Sequence, residues 1–209
     1  MSKDVGSRLT EIADELRGIG TNGLRWAANE YDTARYNKVL SLAAELLSFA
    51  DTREVAEIER TFRGDLDIRT PFVGVDAAVF DDAGRLLLVQ RKDNNTWAMP
   101  GGAAGVGEAP SVVAVREVQE ETGLRIEVTQ LVGVYDSHLV GSPDPVHLYH
   151  LVFCCRKVGG ELALTNETVG YGYFREDAIA TLPLHRGHGL RITDAFKAYR
   201  GEVAGCVFQ

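Results

Sequence analysis

The segment GGAAGVGEAPSVVAVREVQEETGL, from Gly101 to Leu124, constrains the fold of this chain more than any other. It starts as a glycine-rich loop, and its composition predicts a helix that begins near Pro110 and ends before Gly123. At about 100° per residue, one side of this helix would carry apolar side chains that can pack on a sheet. These are Val112, Val115, Val118 and Thr122.

The opposite side of the predicted helix collects acids, namely Glu117, Glu120 and Glu121. Glu117 and Glu121 form an i,i+4 pair of like charges, which costs about 0.2–0.5 kcal/mol. Glu120 and Glu121 also lie at the negative end of the helix dipole, where acids are unfavourable. Arg116 can pair with Glu120, but one arginine cannot neutralise three carboxylates. The pattern therefore calls for a further positive charge.

A bound divalent cation would supply that charge. Mg²⁺ prefers oxygen ligands, commonly one or two carboxylates together with water and substrate phosphate. The neighbouring glycines, at positions 101, 102, 105 and 107, would let the backbone approach an ion or a phosphate. Acidic helix faces are usually solvated and glycine loops are usually only turns. Their joint spacing favours a metal site that polarises a phosphoryl oxygen and activates water.

The segment follows the pattern G-x5-E-x7-R-E-U-x-E-E-x-G-U, where U is apolar. Each fixed position is filled, by Gly102, Glu108, Arg116, Glu117, Val118, Glu120, Glu121, Gly123 and Leu124. This spacing resembles the signature box of the Nudix hydrolases, which cleave nucleoside diphosphates linked to another moiety. The resemblance implies an α/β fold, the Nudix-type α/β/α sandwich, in which the box forms a loop, a helix and a second loop.

The resemblance also implies roles for the residues of the box. Glu117 and Glu121 would be the principal ligands of Mg²⁺ or Mn²⁺, with Glu120 as a further ligand or a contact through water. The carbonyl of Gly101 would add a backbone ligand, and Arg116 would orient the acids. Glu120, Glu121 and Arg116 are thus the catalytic candidates within the box.

Two further positions of the box concern the start of the helix. Glu108 would brace the loop rather than catalyse. Ala109 stands where related boxes often have a serine or threonine cap, and Glu108 could replace that cap.

Further candidates lie outside the box. Nudix enzymes take their general base either from the box or from a later loop, and Glu167 is the outside candidate, with a solvated loop acid as the alternative. Arg91 could meet a substrate phosphate or form a surface salt bridge. Within the box, Gly102 is a further candidate for substrate binding. His147 could line the substrate cleft, although a structural role is the stronger alternative.

The N-terminal region is predicted to be helical. A first helix carries a stripe of apolar residues and would end at GIGTNG, a second would be capped by Asp32, and a third covers REVAEIERTF. Gly64 and Pro71 then mark a boundary, which predicts a helical domain over residues 1–66 and a catalytic domain over residues 67–209. The stripe of the first helix is Leu9, Ile12, Ala13, Leu16 and Ile19.

The pattern after Pro71 changes to strands. VDAAVF and RLLLVQR would form a hairpin, and RIEVTQLVGVYDS, HLYHLVFCCRKV, ELAL and YGYF would be further strands. The stretch from Gly189 to Tyr199 predicts a closing helix.

The N-terminal helices and the sequence up to the box resemble a narrower group of Nudix enzymes, which act on X-linked nucleoside diphosphates. The likeness lies in TARYNKVLSLAAELLS, PFVGVDAAVFDDAGRLLLVQR and WAMPGGAAGVGE. That group includes CDP-choline and ADP-ribose pyrophosphatases, and its members tend to dimerise, so a homodimer is expected. Trp26, Tyr31 and Tyr36 could stack on a base or ribose, although core or interface packing is the commoner use of such aromatics.

The composition limits which classes of binding partner are expected. The net charge is −8, and no cluster of Lys and Arg is present, so a long nucleic acid is not an expected partner. No apolar run reaches the roughly 20 residues of a membrane span, and the N-terminus does not resemble a signal peptide. Cys154, Cys155 and Cys206 lack metal-site spacing and are expected to be free thiols in the cytoplasm.

A small nucleotide conjugate is therefore the expected substrate. Two alternatives remain: hydrolysis of damaged nucleoside triphosphates or RNA 5′ ends, and nucleotide binding without catalysis.

Overall fold

The computed structural model describes residues 5–67, 69–140 and 147–209. The chain divides between Pro71 and Phe72 into two compact units, one helical and one built around a sheet. No helix in these three ranges is both long enough and apolar enough to cross a membrane.

The helical unit contains α1 (Val5–Arg25), α2 (Glu30–Ser48) and α3 (Val55–Gly64). Helix α1 continues through GIGTNG, so the prediction that these glycines end it is wrong. The glycines instead allow α2 to approach. A Cβ atom at Gly20 would lie 2.7 Å from Cδ2 of Leu40, and one at Gly23 would lie 2.2 Å from Cε1 of Tyr36. Tyr36 therefore packs against α1.

Helix α2 begins one turn earlier than the sequence predicts. Its N-cap is Asn29, whose side chain accepts a hydrogen bond of 2.9 Å from the backbone N–H of Asp32. Asp32 already lies within the helix, so its prediction as the cap is wrong. Asn29 provides the capping oxygen because its backbone is still extended, as capping requires.

A small apolar core holds the three helices together. Ala43 and Ala44 of α2 meet Ile58 and Phe62 of α3, with Leu16 and Leu47 packed around them. By contrast, Trp26 and Tyr31 are 76% and 78% exposed.

The second unit is a mixed sheet with helices on both faces. Its strands are β1 (Phe72–Phe80), β2 (Leu86–Arg91), β3 (Trp97–Ala98), β4 (Gly101–Ala103), β5 (Leu124–Asp136), β6 (Leu148–Gly160), β7 (Thr168–Phe174) and β8 (Val207–Phe208). Its helices are α4 (Pro110–Thr122), α5 (Glu176–Ile179) and α6 (His188–Tyr199).

The main strand order is β3-β2-β1-β6-β5-β8, with β4 paired to β1 and β7 paired to β2. The β1–β6 and β5–β8 pairs are parallel, and the other pairs are antiparallel. ELAL, at positions 161–164, is not a strand, and its prediction is wrong. Its backbone is used elsewhere, because the N–H of Ala163 donates to the carbonyl of Thr122 at the end of α4.

Two apolar layers cover the two faces of the sheet. Helix α6 packs Ile192, Ala195 and Phe196 against one face. Helix α4 packs Val113, Ala114 and Val118 against the other face. This arrangement confirms the predicted α/β/α sandwich, and it places α4 directly over β1 and the start of β4.

Candidate active site

The rotation of α4 about its axis places Glu117 on the inner side of the helix. Val112 and Val115, which were predicted to pack on the sheet, are 55% and 37% exposed, so the predicted face is wrong for these two residues. The buried side instead carries Val113, Ala114, Glu117, Val118 and Thr122. Glu117 fits there because it lies over Gly102. A Cβ atom at Gly102 would lie only 2.4 Å from Oε1 of Glu117.

Glu121 lies one turn further along α4 and meets the neighbouring glycine. The backbone N–H of Gly101 donates a 3.0 Å hydrogen bond to Oε2 of Glu121. Gly101 is itself held in the sheet opposite Asp76 of β1, where a Cβ atom would lie 2.1 Å from the carbonyl oxygen of Val75. The carboxylates of Glu117 and Glu121 are thus both brought to the start of β4.

These two carboxyl groups are held where ionisation is unfavourable. Burial raises the pKa of Glu121 to about 7, because the N–H of Gly101 only partly opposes it and the charges of Glu117 and Glu167 add to it. Burial also raises the pKa of Glu117, against the opposing effect of the Arg116 guanidinium. The pair is therefore suited to a cation that would stabilise both charges.

Arg116 links the acids of α4 to the loop before it. Nη1 of Arg116 donates to Oε1 of Glu117 at 2.8 Å and to Oε2 of Glu120 at 3.1 Å. Its Nε donates to Oε1 of Glu108 at 2.9 Å. Glu108 in turn accepts from the N–H of Gly105 at 2.9 Å. This fork fixes Glu117 and Glu108 relative to each other.

The same contacts decide how the helix starts. Ala109 is the N-cap residue and makes no side-chain cap, so the idea that Glu108 replaces the missing cap is wrong. The carboxylate of Glu108 is occupied by Arg116 and Gly105 instead. Glu108 therefore braces the loop. Glu120 is on the outer side of the helix, with a side chain 58% exposed.

Comparison with known protein families identifies this arrangement. A family model described as the NUDIX domain matches residues 70–195, which is more than half of the chain. The protein belongs to the Nudix family. A second model, described as a UDP-X-like N-terminal oligomerisation domain, matches residues 7–62. The GGAAGVGEAPSVVAVREVQEETGL segment is accordingly its Nudix box.

Individual relatives agree with this assignment. The chain is 29% identical to the putative ADP-ribose pyrophosphatase YjhB of Bacillus subtilis (strain 168), over 94% of both chains. A crystal structure of an ADP-ribose pyrophosphatase from Streptococcus suis 89-1591 matches 67% of this chain and all of that one, with 31% identity and a TM-score of 0.59. A crystal structure of UDP-X diphosphatase shares the fold over 98% of this chain and 99% of that one, with 24% identity and a TM-score of 0.62.

Two candidates from outside the Nudix box lie beside it. Glu167 precedes β7, and its negative charge contributes to the raised pKa of Glu121 and Glu117. The hydroxyl of the next residue, Thr168, donates to the backbone carbonyl of Glu121 at 3.4 Å. Arg91 is paired with Thr168 across β2 and β7, and its positive charge lowers the pKa of Glu121. The guanidinium of Arg91 also forms two hydrogen bonds with Asp93, at 2.8 and 3.0 Å.

His147 lies at another end of the sheet. Its carbonyl accepts from the N–H of Phe72, at the start of β1, whereas Gly101 is paired with Asp76. Those two positions of β1 are four residues apart, or about 13 Å at the usual rise of a strand. Nε2 of His147 lies 3.0 Å from Oδ2 of Asp136.

A buried ion pair supports the strand beneath the Nudix box. Arg191 of α6 pairs with Asp76 of β1, and both side chains are almost fully buried. Burial is the largest single influence on Asp76 and opposes its ionisation, but Arg191, His150 and His188 together keep the pKa of Asp76 below its ordinary value. Sequence reasoning missed this pair, although an aspartate inside the apolar strand VDAAVF was a usable signal. A buried carboxylate requires a partner, and Arg191 is the partner on the closing helix.

Proposed function

We propose that the protein hydrolyses the diphosphate linkage of a nucleoside diphosphate joined to another moiety, with Mg²⁺ or Mn²⁺ as its cofactor. The observation that carries the proposal is the convergence of Glu117 and Glu121 on the Gly101–Gly102 backbone. The rotation of α4 that produces it leaves two valines exposed, so apolar packing alone does not explain it.

The donor groups at this point fit a hard divalent cation. Glu117 and Glu121 offer carboxylate oxygens, and the carbonyl of Gly101 would add a backbone oxygen. This set matches the preference of Mg²⁺ for one or two carboxylates and leaves its other positions for water and phosphate. Their raised pKa values show the cost of holding both charges without a cation. When bound, the ion polarises a phosphoryl oxygen and makes water a better nucleophile.

The remaining residues of the site then take positioning and proton-transfer roles. Arg116 holds Glu117 in place and keeps Glu120 near the site, where Glu120 would act as a further ligand or through water. Gly102 leaves room for Glu117 and for an approaching phosphate. Arg91 would contact a substrate phosphate. Glu167 would accept the proton of the attacking water, since its charge raises the pKa of Glu121 and its carboxylate therefore lies near the proposed metal ligands.

The substrate class follows from the relatives together with the site. The sequence relatives over most of the chain include proteins named as ADP-ribose pyrophosphatases, so ADP-ribose is the first substrate to test. Attack of water on one phosphorus of ADP-ribose would give AMP and ribose 5-phosphate. CDP-choline and UDP-sugars have the same diphosphate core and complete the class.

A product screen tests this function. The purified protein is incubated with ADP-ribose, CDP-choline, a UDP-sugar and 8-oxo-dGTP, each with Mg²⁺ and with Mn²⁺, and the products are separated by chromatography. We expect a nucleoside monophosphate from one or more conjugates, and no product when Glu121 is replaced with Gln. Release of pyrophosphate from 8-oxo-dGTP alone would instead show a triphosphate-cleaving enzyme. No turnover of any substrate would support the non-catalytic alternative.

The assembly and location of the protein are also part of the proposal. The match to an oligomerisation domain over residues 7–62 and the exposed Trp26 and Tyr31 support a homodimer. All three cysteines are free, which agrees with a cytoplasmic location. The acidic net charge of −8 supports a small substrate rather than a long nucleic acid.

A further inference from the structure

Asp136, His138 and His147 form a second cluster of ligand-type side chains in the catalytic unit. One ligand atom from each residue lies within 4.8 Å of the others. Within residues 5–67, 69–140 and 147–209, no other three histidines, cysteines or acids meet this condition. The rings of His138 and His147 stack with centroids 4.3 Å apart, and Nε2 of His147 lies 3.0 Å from Oδ2 of Asp136.

The backbone around this cluster is fixed by the sheet. Ser137, between the first two members, is bonded twice to Leu148: its N–H donates to the carbonyl of Leu148 at 2.9 Å, and its hydroxyl accepts from the N–H of Leu148 at 3.0 Å. The carbonyl of His147 accepts from the N–H of Phe72 at 2.9 Å. The Cα positions of Asp136, His138 and His147 are therefore held close together before any ligand arrives.

The carboxylate of Asp136 is oriented by a separate contact. Its Oδ1 accepts a 2.8 Å hydrogen bond from the backbone N–H of His138. This bond leaves Oδ2 directed at His147. In metal sites, such an outer hydrogen bond sets the orientation of the ligating carboxylate. All three side chains are partly exposed, so an ion can reach them from solvent.

We propose that Asp136, His138 and His147 bind one divalent transition-metal ion of the Zn²⁺ type, at a site separate from the Nudix box. Two imidazoles and one carboxylate favour a first-row transition metal over Mg²⁺, which selects oxygen ligands. Three protein ligands leave at least one position for water. Parallel stacked rings cannot both direct a nitrogen lone pair at one ion, so binding turns at least one imidazole out of the stack.

The new site and the Nudix box are on the same face of the sheet but do not share residues. Asp136 is paired with Tyr149, and the rings of Tyr149 and His147 are in edge contact at 5.2 Å. Tyr149 alternates along β6 with Leu151 and Phe153, which pack on the side of α4. The spacing of about 13 Å along β1 keeps the two sets of ligands apart.

Zn²⁺ titration by calorimetry tests the proposal independently of hydrolysis. The starting protein carries Glu117→Gln and Glu121→Gln, which removes the acids of the Nudix box, and is freed of metal with a chelator. We expect it to bind one Zn²⁺ per chain. Adding His138→Ala or His147→Ala should weaken binding by at least roughly 10–100-fold, the range seen when even an outer contact of a metal site is lost. Co²⁺ should give visible absorption bands that disappear with the same substitutions.

The matched control is His185→Ala, a change to another histidine of the same unit, which lies 3.3 Å from the hydroxyl of Thr96. It should bind Zn²⁺ as the starting protein does. Thermal melting of each metal-free variant checks folding, and the titration is repeated on the wild-type chain saturated with Mg²⁺. The proposal is overturned if neither the starting protein nor the Mg²⁺-saturated wild type binds Zn²⁺. It is also overturned if folded His138→Ala and His147→Ala variants bind Zn²⁺ with unchanged affinity.

Discussion

Replacing Glu121 with Gln should stabilise the metal-free protein above neutral pH and reduce its response to Mg²⁺. Burial is the main reason that the pKa of Glu121 rises from 4.5 to about 7. At about 1.4 kcal/mol for each tenfold change in proton affinity, this rise corresponds to about 3 kcal/mol. Because the folded-state pKa is the higher one, the stabilising contribution of Glu121 is complete below pH 4.5 and is lost as the pH rises through about 7.

Urea unfolding of the metal-free proteins across this pH range measures the effect. Glutamine does not ionise, so the variant and the wild type should have the same free energy of unfolding at about pH 4.5. At about pH 8, the free energy of unfolding of the variant should be higher by up to about 3 kcal/mol. Glu120→Gln is the matched control. Its side chain is 58% exposed, and its loss should change stability by less than about 0.5 kcal/mol.

Mg²⁺ should remove most of this difference between the two proteins. A ligand at a hundred times its dissociation constant adds about 2.7 kcal/mol to the folded state, and the wild type should gain this where Glu121→Gln gains less. The reasoning is refuted if the metal-free variant is less stable than the wild type at about pH 8, or if Mg²⁺ stabilises both proteins equally.

Three further changes test other parts of the structure. Gly102→Ala should lower kcat and Mg²⁺ affinity at least roughly tenfold, because the added Cβ would lie 2.4 Å from a Glu117 oxygen. The control is Gly189→Ala, which has open space around it and should keep full activity in the same assays. Arg191→Met should lower the free energy of unfolding in urea by about 3–5 kcal/mol at neutral pH, because it leaves the Asp76 carboxylate buried without its cation. Adding Asp76→Asn should recover part of this loss, and an unchanged stability of Arg191→Met would contradict the prediction. In light scattering, the wild type should have twice the 22.8 kDa mass of one chain. Trp26→Glu, at an exposed position, should shift the protein towards the monomer. A wild-type monomer would refute the homodimer.

The parts of the fold that the sequence predicted well are those where one local signal dominates. The residues of the Nudix box are fixed in type and spacing, and they predicted both the helix Pro110–Thr122 and the family. The apolar runs that became β1, β2, β5 and β6 alternate or are bounded by turns, and the closing helix was predicted within one residue. In these segments, local propensity and burial favour the same structure.

The errors arose where a tertiary contact overrides the local pattern. The apolar residues of α4 predict a buried face that includes Val112, but in the structure Glu117 takes a position on the buried face and Val112 is turned outward. The glycines of GIGTNG predict a helix end, whereas in the structure Gly20 and Gly23 are contact points for α2. Neither the buried face of α4 nor the end of α1 is encoded locally. Each depends on which residue from another element faces a glycine.

The same limit applies to the sites outside the box. Asp136 is the last residue of β5 and His147 immediately precedes β6, and their proximity follows from the β5–β6 register. The sequence alone suggested His147 only for the substrate cleft, and it gave Asp136 no signal, because an acid at the end of a strand is common. Arg191 likewise becomes significant only when α6 is placed over Asp76.

The most direct test of the central claim is a crystal structure of the protein grown with Mn²⁺ and a non-hydrolysable analogue of a nucleoside diphosphate conjugate. Anomalous scattering locates manganese independently of the other atoms. The account predicts a manganese peak coordinated by the carboxylates of Glu117 and Glu121 and the carbonyl of Gly101, with the diphosphate of the analogue bound to the ion. A structure with the analogue bound elsewhere and no manganese beside α4 would contradict it.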